Sequence, residues 1–138
     1  MERAPSLMYL DVKMTMGAGM IHHVQLACPA GSEPTLRDFY GGVLGFREVA
    51  KPPVLAARGG CWFRGHGIEL HLGAEQDFRP ARKAHPGLLV HDLDAWAGRL
   101  RAAGAPVLFD EDFPGMRRFY SEDPHGNRLE FLEPIDKS

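Results

Sequence analysis

The chain has 138 residues, of which 44% are hydrophobic and 25% charged, and a formal net charge of −2. That is enough for one domain with its own core and too little for two ordinary ones. The near-neutral balance supplies no strong basic field for nucleic acid, and no apolar run approaches the roughly 20 residues that span a bilayer.

In chain order, residues 1–19 read as a tail outside the fold. Asp11 and Lys13 interrupt any apolar run there, and no signal-peptide cleavage site follows. Residues 21–28 alternate as a strand, with Val24, Leu26 and Cys28 on a core face and Ile21, His23, Gln25 and Ala27 on the other. Pro29, Ala30 and Gly31 break it. Ser32 is a candidate cap for a helix that carries Leu36, Phe39, Tyr40, Val43 and Leu44 at helical spacing and ends at Gly45. A short strand over 46–49 and a turn at Pro52 and Pro53 lead to strands over 61–64 and 68–72, joined around Gly65 and Gly67.

Residues 73–84 are polar and read as a loop. A strand over 86–90 follows. Asp92 caps a second helix, which buries Leu93, Trp96, Ala97 and Leu100 and ends at Gly104. Residues 107–109, 117–121 and 128–132 are three further strands. The order is strand, helix, three strands, twice over. Cys28 and Cys61 lie in apolar stretches and read as reduced core residues, which suits a cytoplasmic protein.

The duplication extends to chemistry. His23 and His85 each open a strand that leads into a capped helix. Glu69 lies 46 residues after His23, and Glu130 lies 45 after His85. A glutamate in the middle of an apolar strand is costly to bury without a partner. Singly, a strand histidine is more often structural than a ligand, and a strand glutamate is often an edge residue in solvent. The matched spacing favours a joint role. Two imidazoles and two carboxylates, His23, Glu69, His85 and Glu130, suit one divalent ion: zinc, nickel, iron(II), manganese or cobalt.

Several motifs carry a family resemblance over residues 20–134. They are His23-Val24-Gln25-Leu26 before a helix, Phe39-Tyr40 followed by Leu44-Gly45-Phe46, His85 before the second half, and Asp123-Pro124-His125-Gly126-Asn127 leading into Leu129-Glu130. The chain resembles the vicinal oxygen chelate superfamily, the glyoxalase, bleomycin-resistance and dioxygenase group. The resemblance implies an α+β fold of two tandem βαβββ modules, about 20–73 and 85–134, forming a cupped mixed sheet, with 135–138 as a C-terminal tail. It implies His23, Glu69, His85 and Glu130 as metal ligands, and Glu130, then Glu69, as catalytic base. It also implies a homodimer that completes each site across its interface. At the Asp-Pro turn, His125 replaces the usual aspartate, in what reads as a surface hairpin.

Around that core, His71 shares a strand face with Glu69 and reads as an alternative ligand, an acid–base group or a pocket-lining residue. Gln25 stands in the same relation to His23. Arg79, Arg82 and Lys83 run directly into His85 and read either as an anion clamp or as a solvated loop. Of Arg117 and Arg118, only one can face the cup; Arg117 is the candidate for substrate binding. Trp62 is a candidate pocket wall. The expected function is a metal-dependent lyase or isomerase acting on a small oxygen-chelating substrate with an anionic group, through metal-stabilised enolate chemistry. The alternatives are an iron(II) extradiol-type dioxygenase and a metal-free protein that sequesters a small molecule.

Overall fold

A computed structural model describes residues 19–136. The proposed tail over 1–19 lies outside the described residues apart from Gly19, and residues 137–138 of the proposed C-terminal tail do so as well. The first module comprises β1 (Val24–Cys28), α1 (Glu33–Leu36), β2 (Arg47–Val49), α2 (Pro53–Ala56), β3 (Gly60–Gly65) and β4 (Ile68–Ala74). The second comprises β5 (Gly87–Leu89), α3 (Leu93–Ala102), β6 (Leu108–Asp110), β7 (Met116–Glu122) and β8 (Arg128–Pro134). Each module folds into a four-stranded sheet, in the order β1-β4-β3-β2 and β5-β8-β7-β6. In both, the first and last strands pair in parallel and the remaining pairs are antiparallel. The expected α+β architecture of two βαβββ modules is therefore the observed one.

Local chemistry accounts for most elements. α1 passes into a π-helical stretch over Arg37–Val43, in which the Leu44 amide donates to the Phe39 carbonyl at 2.9 Å. The wider turn lets consecutive Phe39 and Tyr40 both point into the core. Gly45, at φ +79°, closes it in the left-handed conformation a helix end favours. Asp92 caps α3 as expected, its carboxylate accepting from the Ala95 amide. Ser32 does not cap α1; its hydroxyl instead donates to the Pro29 carbonyl at 2.6 Å, closing the preceding turn. The residues after Pro52 form the helical turn α2, where a plain turn was expected, because proline is well placed at the start of a helix.

One face of each sheet packs on its helix. Leu26, Cys28, Phe63, Leu70 and Leu72 form that face in the first module, and Leu88, Phe119, Leu129 and Phe131 in the second. Burial raises both thiols, Cys61 to about 12, so they are inert core groups.

A buried polar lock joins the modules. Tyr40 Oη donates to Asp123 at 2.8 Å, and Asn127 Nδ2 donates to the Ala27 carbonyl at 2.8 Å and to Asp123 at 2.9 Å. Asn127 Oδ1 accepts from the Ala81 amide at 2.9 Å. The Asp123–Asn127 turn is thus not a surface hairpin: Asp123 is 4% exposed and Asn127 fully buried. Its asparagine and aspartate satisfy backbone groups from both halves that would otherwise be buried without partners.

Candidate functional site

The opposite faces of the two sheets carry the candidate site residues. Alternation puts His23, Gln25, Trp62, Arg64, Glu69 and His71 on the face of the first sheet away from its helix. In the second module it puts His85, Arg118, Tyr120 and Glu130 there.

In the first module three rings stack. The His71 ring lies between His23, at 3.8 Å between centroids, and Trp62, at 4.0 Å. Glu69 accepts from His71 Nε2 at 2.8 Å and from Arg64 Nε at 3.0 Å. Burial alone would raise the Glu69 carboxyl, but these two donors outweigh it and hold it below the ordinary carboxylate value. Burial also lowers His71, against the opposing pull of Glu69. The buried imidazole is therefore best described as neutral, donating through Nε2.

In the second module, His85 Nδ1 lies 2.8 Å from the Lys83 carbonyl and His85 Nε2 lies 2.8 Å from Glu130 Oε1. A carbonyl only accepts, so Nδ1 carries the hydrogen. In the neutral ring, Nε2 then turns a bare lone pair on a carboxylate oxygen, an arrangement that calls for a cation or a proton between them. Glu130 is 8% exposed, and its other oxygen accepts from Arg118 at 3.0 Å. Arg118 is gripped in turn by both oxygens of Asp110, at 2.8 and 3.2 Å, which raises its already high pKa.

These placements change several sequence expectations. The two modules do repeat, but their strand register differs from the residue count. Gln25, two residues after His23, pairs with His71; Gly87, two residues after His85, pairs with Glu130. The cross-strand neighbours agree, Trp62 opposite His71 and Tyr120 opposite Glu130. His71, not Glu69, therefore stands where Glu130 stands. Glu69 corresponds to Arg128, each pairing with a residue of opposite charge, Arg64 and Glu122. Arg117 faces the helix side, bound to Asp94 at 3.0 Å and Glu133 at 3.1 Å, because it shares parity with buried Phe119. Arg118 is the arginine on the site face. Arg79 is exposed, and Arg82 is exposed and 3.7 Å from Glu122; neither is bonded to His85 or Glu130. The loop's contact with the site is the Lys83 backbone carbonyl, which a reading of side-chain charges overlooks.

A divalent ion needs more donors than either half offers alone. Among the described residues no group of three or more His, Cys, Asp or Glu side chains is close enough to hold one. In the second half, His85 Nε2 and Glu130 Oε1 lie 2.8 Å apart. Ligands at ~2.1 Å from one ion are separated by about 3 Å, so this pair has the span of one edge of a coordination shell, whereas His71 Nε2 carries its hydrogen to Glu69 and is not a ligand atom. The Nδ1–H bond to a backbone carbonyl is also the usual outer-shell support for a metal-binding imidazole.

Comparison with known proteins agrees with the fold. A glyoxalase family protein from Bacillus anthracis is 45% identical, with a TM-score of 0.80 over 84% of this chain and 95% of that one. An antibiotic binding protein from Streptomyces sp. CB03234 is 25% identical, with a TM-score of 0.62 over 84% and 98%. A fosfomycin resistance protein from Listeria monocytogenes, complexed with Mn(II), is 13% identical and shares the fold, with a TM-score of 0.70 over 84% and 92%. No curated protein matches the chain. No helix among the described residues is long and apolar enough to cross a membrane. Members of this group include lyases, resistance enzymes and antibiotic binders; they bind small molecules, often with a divalent metal, and commonly form dimers. The family model for the Glyoxalase/Bleomycin resistance protein/Dioxygenase superfamily matches residues 20–131, and the chain belongs to that superfamily.

Proposed function

We propose that the chain is a metal-dependent lyase or isomerase of the glyoxalase type, acting on a small oxygen-chelating substrate with an anionic group, at a site shared between two copies of a homodimer. The observation that carries this reading is the His85 ring, whose tautomer is set by Lys83 and whose Nε2 faces Glu130 at 2.8 Å. His85 and Glu130 of one copy, with His23 and His71 of the other, would hold the ion. When bound, it supplies Lewis-acid stabilisation of enolate charge on the substrate.

The chain's own residues divide the remaining work. Glu130 would take the proton alpha to the substrate carbonyl on its carboxylate. Glu69, the second candidate, is held in its ionised form by Arg64 and His71. Its role is to orient His71. Trp62 and the stacked imidazoles of His71 and His23 form a flat wall against which a substrate would lie. Cys28 and Cys61, both buried free thiols, fit a cytoplasmic setting.

A second reading has a specific observation behind it. Arg118 already neutralises Glu130, and Asp110 anchors Arg118. A half-site balanced in this way suits a metal-free protein that sequesters a small molecule, as the 25%-identical Streptomyces relative binds an antibiotic. Calorimetric titration of chelator-stripped dimer with nickel, zinc, cobalt, manganese and iron(II) separates the two. The enzyme reading expects about one ion per site and its loss in His85→Ala. If no ion binds, that reading fails and the binding protein stands. Dioxygen uptake with catechols by the iron-loaded protein would instead favour an extradiol-type dioxygenase.

A further inference from the structure

We propose that the first module carries a carboxylate-binding subsite, centred on Arg58, for the anionic end of a substrate with a flat apolar body. The proposal deepens the reading above and rests on it for the placing of the reacting end; the subsite itself needs no metal.

The observation is a cavity of about 170 Å³ lined by Gln25, Lys51, Leu55, Arg58, Gly59, Trp62, Gly73 and Ala74. Cavities of ~150 Å³ accept a benzene-sized guest, so its volume suits one ring or a short branched chain. Its walls differ in character. Trp62, Leu55 and Ala74 are apolar. Lys51, Arg58 and the Gln25 amide supply the polar part of the lining.

The two cations are not equivalent. Lys51 Nζ donates to the Gly59 carbonyl at 2.6 Å, and its charge helps keep Glu33 ionised. Glu33 in turn accepts from the Gly60 amide at 2.7 Å, which ties this segment to α1. Lys51 is therefore committed to holding the loop. Arg58 is exposed, and among the described residues nothing hydrogen-bonds or ion-pairs with its guanidinium. An arginine held at a cavity mouth with all its donors open matches the planar, two-oxygen geometry of a carboxylate. One uncompensated cation also favours a monoanion over phosphate.

Two details connect the cavity to the reacting centre. Gln25 pairs in register with His71, and Trp62 stacks on His71 at 4.0 Å. The amide of Gln25 also lies across Gly73, where an added Cβ would come within 2.6 Å of its Nε2. Any larger residue at position 73 would push the amide from the cavity. A ligand anchored at Arg58 thus runs along Trp62 and ends at His71. The second module has no equivalent of α2, so only this half of each site has the anchor.

The test is calorimetry on the full-length protein in EDTA, with benzoate, its neutral isostere benzamide, and inorganic phosphate as probes. The expected result is benzoate bound about tenfold more tightly than benzamide or phosphate, with the preference reduced to about twofold in Arg58→Gln. Arg58 is exposed, so that variant keeps its fold; Leu55→Trp, which fills the cavity, should abolish binding of all three probes. Equal binding of benzoate and benzamide, tighter phosphate binding, no benzoate binding, or an undiminished preference in Arg58→Gln would each overturn the proposal. Because metal is excluded throughout, failure here leaves the metal reading standing, and loss of metal binding elsewhere leaves this result standing.

Discussion

His71 and Glu130 occupy the same rung of the two modules: each pairs, across a parallel ladder, with the second residue beyond a histidine. The proposed shared site would therefore combine three imidazoles and one carboxylate, with Glu69 behind His71. His71→Ala should lower nickel affinity by at least about 100-fold, as loss of a ligand does, whereas Glu69→Gln should lower it only about tenfold, as loss of an outer-shell partner does. Calorimetric nickel titration of the two variants reads the difference. The reverse order would return the fourth position to Glu69.

Arg118 makes a separate prediction. It shares Glu130 with His85, at 3.0 Å from one oxygen, and its positive charge opposes an ion bound beside that carboxylate. Arg118→Met should tighten divalent-ion binding by about tenfold, or ~1.4 kcal/mol. Asp110 pairs with the same guanidinium, so Asp110→Asn should change affinity less. Weaker metal binding in Arg118→Met would mean that the arginine acts mainly by holding Glu130 in place.

The stacked rings set a pH dependence in the apo protein. Burial depresses His71 in the fold, and hydrogen bonds depress Glu69. A group whose folded pKa lies below its unfolded value stabilises the fold above the unfolded pKa, and that contribution is lost as pH falls through the folded value. For His71 the loss begins below about pH 6.5, and for Glu69 below about pH 4.5. Metal-free protein should show a falling Tm from pH 7 to 5, and His71→Gln should flatten that slope. Differential scanning calorimetry across this range tests it; an equally steep slope in the variant would assign the dependence to other groups.

The duplication was readable from the order of elements and the cup was implied by the family resemblance, while the face on which His23, Glu69, His71 and Glu130 lie was readable from alternation, because a strand's period of two fixes sides without knowledge of its neighbours. The register was not. Aligning Glu69 with Glu130 relied on counting along the chain, and α2 lengthens the first module's path where the second has no counterpart. Arg117 and Arg118 failed for a related reason: parity divides them, but only buried Phe119 says which side is which. Arg58 and Lys51 gave no signal at all. They stand between the strands in sequence, and α2 brings them to Trp62 and Gln25 only through tertiary folding.

The module lock allows a prediction that is independent of any ligand. Asn127 is fully buried and uses both ends of its amide, donating to the Ala27 carbonyl and Asp123 and accepting from the Ala81 amide. Asn127→Ala takes these side-chain partners from the Ala27 carbonyl and the Ala81 amide and one of several from Asp123, at a cost of about 2–4 kcal/mol, which for a chain of this size lowers Tm by roughly 10 °C. Tyr40→Phe removes one bond to Asp123 and should cost about 1–2 kcal/mol. The two side chains converge on the Asp123 carboxylate, so the double variant should cost less than the sum of the singles. Chemical denaturation of all three proteins measures this. Strict additivity would mean that the modules are held together by their apolar contacts and that the buried network is incidental to their docking.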